Sequence, residues 1–228
     1  MGHWFPQNIS TYGADVDHVF NVIYYIVGAW FVAAEILFFY FIIRYRRRSG
    51  EHAGYVRGDS WSQLAWVLVP AAIVLALDLG IDSMSAPVWA RIKEHRPEGG
   101  LLIQGTAKQF NWSFTYAGPD GKFGTDDDKD IENELHVPVG RDILVDLQSK
   151  DVIHSFYIPT VRLKQDIMPG RTTKVWFNAT VPGRYEIPCA QLCGFGHYTM
   201  RGFLVVHTPE DYQKWIAETW SPAAGAAS

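Results

Sequence analysis

The two cysteines of the chain stand in one short stretch, PCAQLCGFGHYTM, whose residue types are those of metal ligands. Cys189 and Cys193 are four positions apart, His197 follows after four more, and Met200 after a further three. Thiolate, imidazole and thioether groups favour soft transition metals. The alternative is a disulfide between the two cysteines, whose ring would be small, demanding in geometry and of little entropic benefit. The stretch therefore favours a metal site over a disulfide.

The kind of metal follows from the number and type of ligands. A structural zinc site normally has a second, distant pair of ligands, and thioether sulfur is not a usual zinc ligand. One copper ion takes one thiolate, two imidazoles and a long thioether bond, and His154 in DVIHSFYIP offers the second imidazole. Cys189 is then left over beside Cys193, and two thiolates can bridge two soft metal ions. A site with one copper ion and a site with two copper ions both remain possible at this point, and either site would transfer electrons.

Short alternating segments after residue 100 predict that β-structure carries this site. Aromatic and β-branched residues fill segments separated by Gly, Pro and Asp, namely FNWSFTY, ELHVPV, DILVDLQS, TTKVWFNATV and GFLVVHT. Such segments predict an all-β domain, a β-sandwich or Greek-key barrel, over residues 91–220. Thr208 is the predicted N-cap of one terminal helix, because Pro209 and acidic residues follow it. Residues 221–228 are predicted to be a disordered tail.

Two apolar runs precede this domain and predict membrane-spanning α-helices. The run at 19–43 contains a single acidic residue, Glu35, and is longer than a hydrocarbon core of roughly 30 Å requires. The run at 64–82 is shorter and contains a proline and Asp78, so a buried helix of a soluble domain is its alternative reading. Residues 1–90 are therefore predicted to form a two-helix transmembrane hairpin in a lipid bilayer.

Charged residues beside these runs predict the orientation of the chain. The connecting loop 44–60 has five arginines, whereas the first 17 residues have no Lys or Arg. By the positive-inside rule the loop is cytoplasmic, and both termini and the β-domain lie on the periplasmic or outer face of a bacterial inner membrane. The net charge of −4 argues against a nucleic-acid partner, because the dense basic cluster is explained by topology.

The segment DVIHSF, followed after 34 residues by CAQLCGFGHYTM, resembles the binuclear copper motif of subunit II of haem-copper cytochrome c oxidases. That family has an upstream His and then Cys-x-Glu-x-Cys-x-x-x-His-x-x-Met. The resemblance extends to Trp66 and Pro70 in the second apolar run, to the PGR of residues 169–171, and to the order of two spans before an outward β-domain. It implies a cupredoxin-like Greek-key β-sandwich that holds two copper ions.

The resemblance also assigns roles within the motif. It implies six copper ligands, which are His154, Cys189, the backbone carbonyl of Gln191, Cys193, His197 and Met200. The two cysteines would bridge the ions, each histidine would complete one ion, and the thioether and the carbonyl would be the weak ligands. Asp151, three residues before His154, is a candidate acceptor for the second ring nitrogen of that imidazole.

Three positions depart from the family pattern. Gln191 stands where the family has a glutamate whose carboxylate holds magnesium or manganese, and a neutral amide is a poorer ligand for such an ion, which makes magnesium doubtful. Phe110 stands where the family has the tryptophan that receives the electron, so Phe110 and the nearby Trp112 are the candidates for electron input. Gln63 stands where the family has a glutamate that feeds protons to the catalytic subunit.

The implied function is that of the electron-input subunit of a membrane terminal oxidase. It would accept electrons from a cytochrome c-type donor and pass them to haem in subunit I, where oxygen becomes water. No C-x-x-C-H haem motif is present, so the catalytic site is predicted to lie in a partner subunit. Glu35 and Asp78 are candidates for proton movement, since ionisable residues within spans are commonly functional.

Two other functions are considered. One is the copper-containing electron-input subunit of a haem-copper nitric oxide reductase, which would share this motif and differ in the gas that its partner consumes. The other is a membrane anchor without redox function, in which the two cysteines form a disulfide and no copper binds.

Overall fold

The computed structural model describes residues 5–50 and 52–221, and their contacts form two compact units. The first unit is helical and runs from Asp15 to Ala90. The second unit contains the described residues 5–14 and 91–221. The chain therefore leaves the second unit at the first helix and returns to it after the second helix.

The helical unit is built from α1 (Gly13–Arg44) and α2 (Trp61–Trp89), and a π-helical turn, Ala90–Glu94, continues α2. Both helices have a mean hydropathy of 2.3 in their most apolar windows and are long enough to cross a membrane. Both extend beyond the predicted runs, because polar residues at their ends continue the helical backbone. Their large apolar side chains are exposed, which is unfavourable in water and suits lipid or partner helices.

Within its described residues, the second unit contains ten strands and one α-helix, α3 (Pro209–Thr219). The strands are β1 (Leu101–Lys108), β2 (Asn111–Tyr116), β3 (Lys129–Glu132), β4 (Glu134–Pro138), β5 (Asp142–Ser149), β6 (His154–Ile158), β7 (Leu163–Ile167), β8 (Thr173–Asn178), β9 (Gly183–Pro188) and β10 (Arg201–His207).

These strands form a β-sandwich. One sheet has the order β3-β2-β1-β5-β8, in which β1 and β5 are parallel. The opposite side is made by β4-β10-β9 and by the pair β6-β7, which are joined by a bridge between Phe156 and Cys189. The predicted fold class is confirmed: two apolar helices precede an all-β, cupredoxin-like Greek-key sandwich.

Alternation along the strands builds the sandwich core. Trp112, Phe114 and Tyr116 on β2 are buried while the residues between them are not, and β5 repeats this pattern. Trp112 and Phe114 both contact the ring of Phe156 on β6, with centroid distances of 5.5 and 6.2 Å. Each of the five predicted strand segments matches a strand of the structure. Successive side chains of a strand point to opposite faces, so a strand with one buried face shows apolar residues at every second position.

The predicted terminal helix is also confirmed. Thr208 caps α3, and its hydroxyl oxygen accepts a hydrogen bond of 3.2 Å from the Asp211 amide. Of the predicted disordered tail, residues 222–228 lie outside the described part of the chain.

Residues 5–12, before α1, pack on the β-unit, which the sequence did not indicate. Ile9 and Tyr12 are fully buried, and Ser10 forms a bridge with Ala179, just after β8. The carbonyl of Ile9 accepts a hydrogen bond of 2.7 Å from the Thr180 amide. The N-terminal segment is thus an integral part of the sandwich.

Candidate metal centre

The candidate ligands come from one strand and one loop. His154 is the first residue of β6, and the loop from Cys189 to Met200 connects β9 to β10. The loop is closed at its base, because the Cys189 amide donates to the Met200 carbonyl at 3.0 Å. The next amide, that of Ala190, donates to the Ser155 carbonyl at 3.0 Å and fixes the loop beside β6.

The two thiol sulfurs lie at the centre of the cluster. Cys189 Sγ and Cys193 Sγ are 3.9 Å apart, and neither cysteine is in a disulfide. Cys193 Sγ lies 3.5 Å from His197 Nδ1 and 3.7 Å from Met200 Sδ. Three donors of the loop therefore converge on the second cysteine.

The first cysteine has a matching set of neighbours. Cys189 Sγ lies 3.9 Å from His154 Nδ1 and 3.2 Å from the carbonyl oxygen of Gln191. Each thiol thus stands between the other sulfur, one imidazole nitrogen and one weaker donor. The ligand atoms of His154, Cys189 and Cys193 all lie within 4.8 Å of one another. The structure brings together all six residues that the sequence predicted as ligands.

The electrostatics of the cluster favour a soft cation. His154, Cys189, Cys193 and Met200 are buried. Burial and, after it, the neighbouring Cys189 raise the pKa of the Cys193 thiol to about 11. A thiolate pair at neutral pH therefore needs a compensating positive charge. The donor set is rich in sulfur and contains a thioether, which fits copper better than zinc or a hard dication.

Asp151 orients the imidazole of His154. The ring nitrogen Nε2 of His154 donates to Asp151 Oδ1 at 2.8 Å, which leaves Nδ1 facing Cys189. Burial alone would raise the pKa of Asp151, but the hydrogen bonds from the Gln109 amide and from His154 outweigh it and lower that pKa. The carboxylate thus stays ionised as an acceptor, as expected for the outer shell of a metal site.

Phe110 lies directly on the ligand loop. It is the second residue of the two-residue turn between β1 and β2, and its ring contacts Gly194 and Gly196. A Cβ added at Gly196 would come 2.6 Å from Phe110 Cδ2, so a glycine is required for this approach. The candidate for electron input therefore covers the loop that holds Cys193 and His197.

Trp112, the second candidate for electron input, has a different position. It is fully buried, and its ring meets His154 edge-on at a centroid distance of 6.3 Å. It also packs on Phe156, so it is both a core residue and a neighbour of the cluster.

Three of the remaining predicted residues belong to the helical unit, and the fourth, Gln191, lies in the ligand loop. Glu35 is half-buried on α1 and Asp78 is exposed on α2. Gln63 accepts a hydrogen bond of 2.7 Å from the Gly58 amide at the start of α2. The side chain of Gln191 is exposed, while its carbonyl faces Cys189.

A second cluster of histidines was missed by the sequence reasoning. His136 on β4 and His207 on β10 lie in adjacent parallel strands, and His136 Nδ1 is 2.8 Å from His207 Nε2. Trp215 of α3 stacks on His136 at a centroid distance of 4.6 Å, and His136 Nε2 lies 3.3 Å from Glu134 Oε2. Burial lowers the pKa of both histidines. No spacing in the sequence signals a contact that depends on strand pairing.

Large apolar side chains of the ligand loop face outward. Leu192, Phe195 and Tyr198 are 76, 95 and 82% exposed. Exposed apolar groups beside a buried cluster mark a surface for contact with another protein.

Comparison with known proteins points to one family. The model of a family described as "Cytochrome C oxidase subunit II, periplasmic domain" matches residues 119–207. Cytochrome c oxidase subunit 2 of Thermostichus vulcanus is 33% identical, and the alignment covers 92% of this chain and 76% of that protein. The alternative cytochrome c oxidase subunit 2 of Bradyrhizobium diazoefficiens is 29% identical over 94% of this chain and 84% of its own length.

A solved structure is also similar. The crystal structure of the periplasmic domain of subunit II of cytochrome oxidase (CoxB) of Bradyrhizobium japonicum is 31% identical, with a TM-score of 0.49. The match covers 55% of this chain and 96% of that domain.

Proposed function

The chain belongs to the cytochrome c oxidase subunit II family, and from this membership we propose that it is the electron-input subunit of a membrane terminal oxidase. It binds two copper ions, accepts electrons from a cytochrome c-type donor and passes them to haem in the catalytic subunit I. Oxygen is reduced to water in that partner, and the other oxidase subunits complete the assembly.

The observation that carries this proposal is the pairing of donors around the two sulfurs. Each sulfur has its own imidazole Nδ1 within 3.9 Å and its own weak donor within 3.7 Å. A single copper would leave Cys189 and its neighbours without a role. Two copper ions bridged by sulfur would share one electron, which keeps the rearrangement on each transfer small.

The side chains have distinct tasks in this site. Cys189 and Cys193 would supply the two thiolates, and His154 and His197 would each hold copper through Nδ1. The remaining donors are the Met200 thioether and the Gln191 carbonyl. Because these groups come from a closed loop and one strand end, they are held in place before a metal arrives. A magnesium ion is not part of the proposal, since the exposed Gln191 amide is neutral.

Electron input is assigned to the surface above the ligand loop. Phe110 lies on the loop and Trp112 on His154, so both rings stand next to ligands of the site. The exposed apolar groups of the loop give a partner protein a contact surface. The complete ligand set favours a protein donor over a quinol, because quinol-oxidising members of the superfamily lack these ligands.

The membrane topology proposed is two-pass. The segment before α1 packs on the β-unit and the chain after α2 returns to it, so both ends of the helical pair belong to one unit. The arginine-rich loop between the helices is then cytoplasmic, and the β-unit is periplasmic. Glu35 and Asp78 are proposed to assist proton movement where these helices meet subunit I.

Metal analysis and electron paramagnetic resonance of the full chain, purified in detergent, test the proposal. The expected result is two coppers per chain and a spectrum in which one unpaired electron is shared by both. One copper with an ordinary single-ion spectrum would assign a mononuclear site, and two thiols lost to a disulfide without copper would contradict the proposal. Gas consumption by the complex with subunit I then separates oxygen from nitric oxide as the acceptor.

A further inference from the structure

Gln109 contacts both halves of the candidate metal centre. Its side-chain amide donates to the carbonyl oxygen of Cys193 at 2.6 Å. Its backbone amide donates to Asp151 Oδ2 at 2.7 Å, and the other carboxylate oxygen of Asp151 accepts from His154 Nε2. One residue therefore joins the ligand loop to the pair that orients the imidazole on β6.

We propose that Gln109 is a positioning residue that ties the Cys193 side of the centre to the His154 side. The proposal rests on the proposed function, because it concerns the same site. Cys193 and His154 come from chain segments that do not adjoin in sequence, so their separation is set by cross-links between the segments. Gln109 supplies a cross-link that does not pass through a metal ion.

The turn between β1 and β2 explains why Gln109 can do this. Lys108 pairs directly with Asn111, so the turn has only two residues and the backbone of Gln109 has a fixed place. Asp151 also accepts a hydrogen bond of 2.6 Å from the Val152 amide. Both oxygens of the carboxylate are thereby occupied, which fixes its plane and with it the ring of His154.

The ligand loop is shaped to admit the Gln109 side chain. Gly194 has φ +133°, and a Cβ at this position would come 2.6 Å from Gln109 Nε2. A glycine therefore follows Cys193 at the place where the amide passes. This contact and the hydrogen bond to Cys193 are two separate indications of one fitted side chain.

A substitution of Gln109 tests the role in the full chain. Gln109→Met keeps the length of the side chain and removes the donor, while the backbone link to Asp151 stays. In the metal-free chain we expect amide hydrogen exchange in residues 191–197 to become faster by roughly fivefold, the factor that corresponds to one hydrogen bond. In the copper-loaded chain we expect release of copper to a chelator to accelerate by a similar factor, with altered copper hyperfine splittings.

The control is Gln148→Leu, which removes a side-chain hydrogen bond of 2.8 Å to Thr172 on the same β-unit. It should leave exchange in the loop, copper release and the spectrum unchanged. Gln109→Glu is a second variant, since a carboxylate cannot donate to the Cys193 carbonyl, and it should behave like Gln109→Met. If both Gln109 variants match Gln148→Leu in all three measurements, Gln109 has no positioning role.

The two proposals can fail separately. If the unsubstituted chain binds no copper, the proposed function is wrong, and the exchange measurement on the metal-free chain still decides whether Gln109 orders the loop. If the unsubstituted chain binds two coppers and both variants match the control in exchange, copper release and spectrum, the function stands and the role of Gln109 is wrong.

Discussion

The described part of the β-unit contains two clusters that each include a pair of histidines, and the clusters differ in where the ring nitrogens point. In the candidate metal centre, Nδ1 of His154 and Nδ1 of His197 each face a thiol sulfur. In the other cluster, the imidazole rings of His136 and His207 form a hydrogen bond with each other, and the ring of Trp215 stacks on His136. In the first pair, each Nδ1 therefore faces a sulfur and not the other imidazole. In the second pair, one nitrogen of each ring is occupied by the hydrogen bond between the two rings.

The difference shows that buried histidines alone do not indicate a metal site. A metal ligand must offer a lone pair that no proton or neighbour occupies, and a partner must fix the other nitrogen. His154 meets both conditions, because Asp151 holds its Nε2. The His136 pair is instead part of the packing between α3 and the sheet.

The largest effect is expected for Cys189→Ser in the metal centre. Under the proposed function Cys189 supplies one of the two thiolates, so its loss should prevent binding of a copper pair. Retention of copper should weaken by a factor beyond the roughly 10–100-fold typical of outer-shell changes. Copper content after dialysis against a chelator is the measurement. His207→Gln in the other cluster is the matched control and should retain both coppers. Loss of copper in that control would contradict the view that only the first cluster holds copper.

Asp151→Asn should have the next largest effect. The amide cannot accept from His154 Nε2 as a carboxylate does, so copper affinity should fall by roughly 10–100-fold while the thiolates remain. Competition with a chelator of known affinity measures the change. Asp130→Asn, at an exposed acid on β3, should leave the affinity within experimental scatter, and an equal loss there would show that net charge is what matters.

Mild acid should affect the second cluster. Burial lowers the pKa of His136 and His207 below the value of about 6.5 in an unfolded chain, so the folded state binds fewer protons. Stability is therefore fully present above that value and is lost as the pH falls below it and through the lower folded pKa. The thermal midpoint of the metal-free chain should drop by on the order of a few degrees between pH 7 and 5. In His136→Gln the thermal midpoint should drop less over this pH range. An unchanged pH dependence of the midpoint would contradict the assignment of the effect to His136.

The smallest effect is expected for Thr208→Ala. Removing the cap hydrogen bond to the Asp211 amide should cost α3 about 1 kcal/mol. Because α3 carries Trp215 onto His136, the loss should appear as a lower unfolding midpoint and as faster hydrogen exchange in α3. Copper content should not change, and a coupled loss of copper would mean that the two clusters are less independent than their contacts indicate.

Much of the metal centre could be predicted because its donors are close in sequence. Cys189, Cys193, His197 and Met200 lie on one loop, so their types and spacing predict a soft-metal site. His154 follows from the second imidazole that a copper site requires. The alternation that predicted β2 and β5 likewise depends on near neighbours. Those predictions required no knowledge of how distant segments pair.

Other features depend on long-range pairing and could not be predicted. Gln109 reaches Cys193 only because the β1–β2 turn lies over the loop, and His136 meets His207 only because β4 and β10 are parallel neighbours. A glutamine in a turn and two histidines on separate strands have no distinctive spacing. Their partners become visible only when the register of the sheets is known.

The docking of the N-terminal segment has a consequence for the order of assembly. Ile9 meets Thr180, which lies 171 positions later in the chain. At ordinary rates of protein synthesis, Ile9 must wait roughly 10 to 30 seconds before Thr180 exists. Closure of the sandwich by the segment of Ile9 and Tyr12 is therefore a late step of folding, and the buried sites of these two side chains stay open until then.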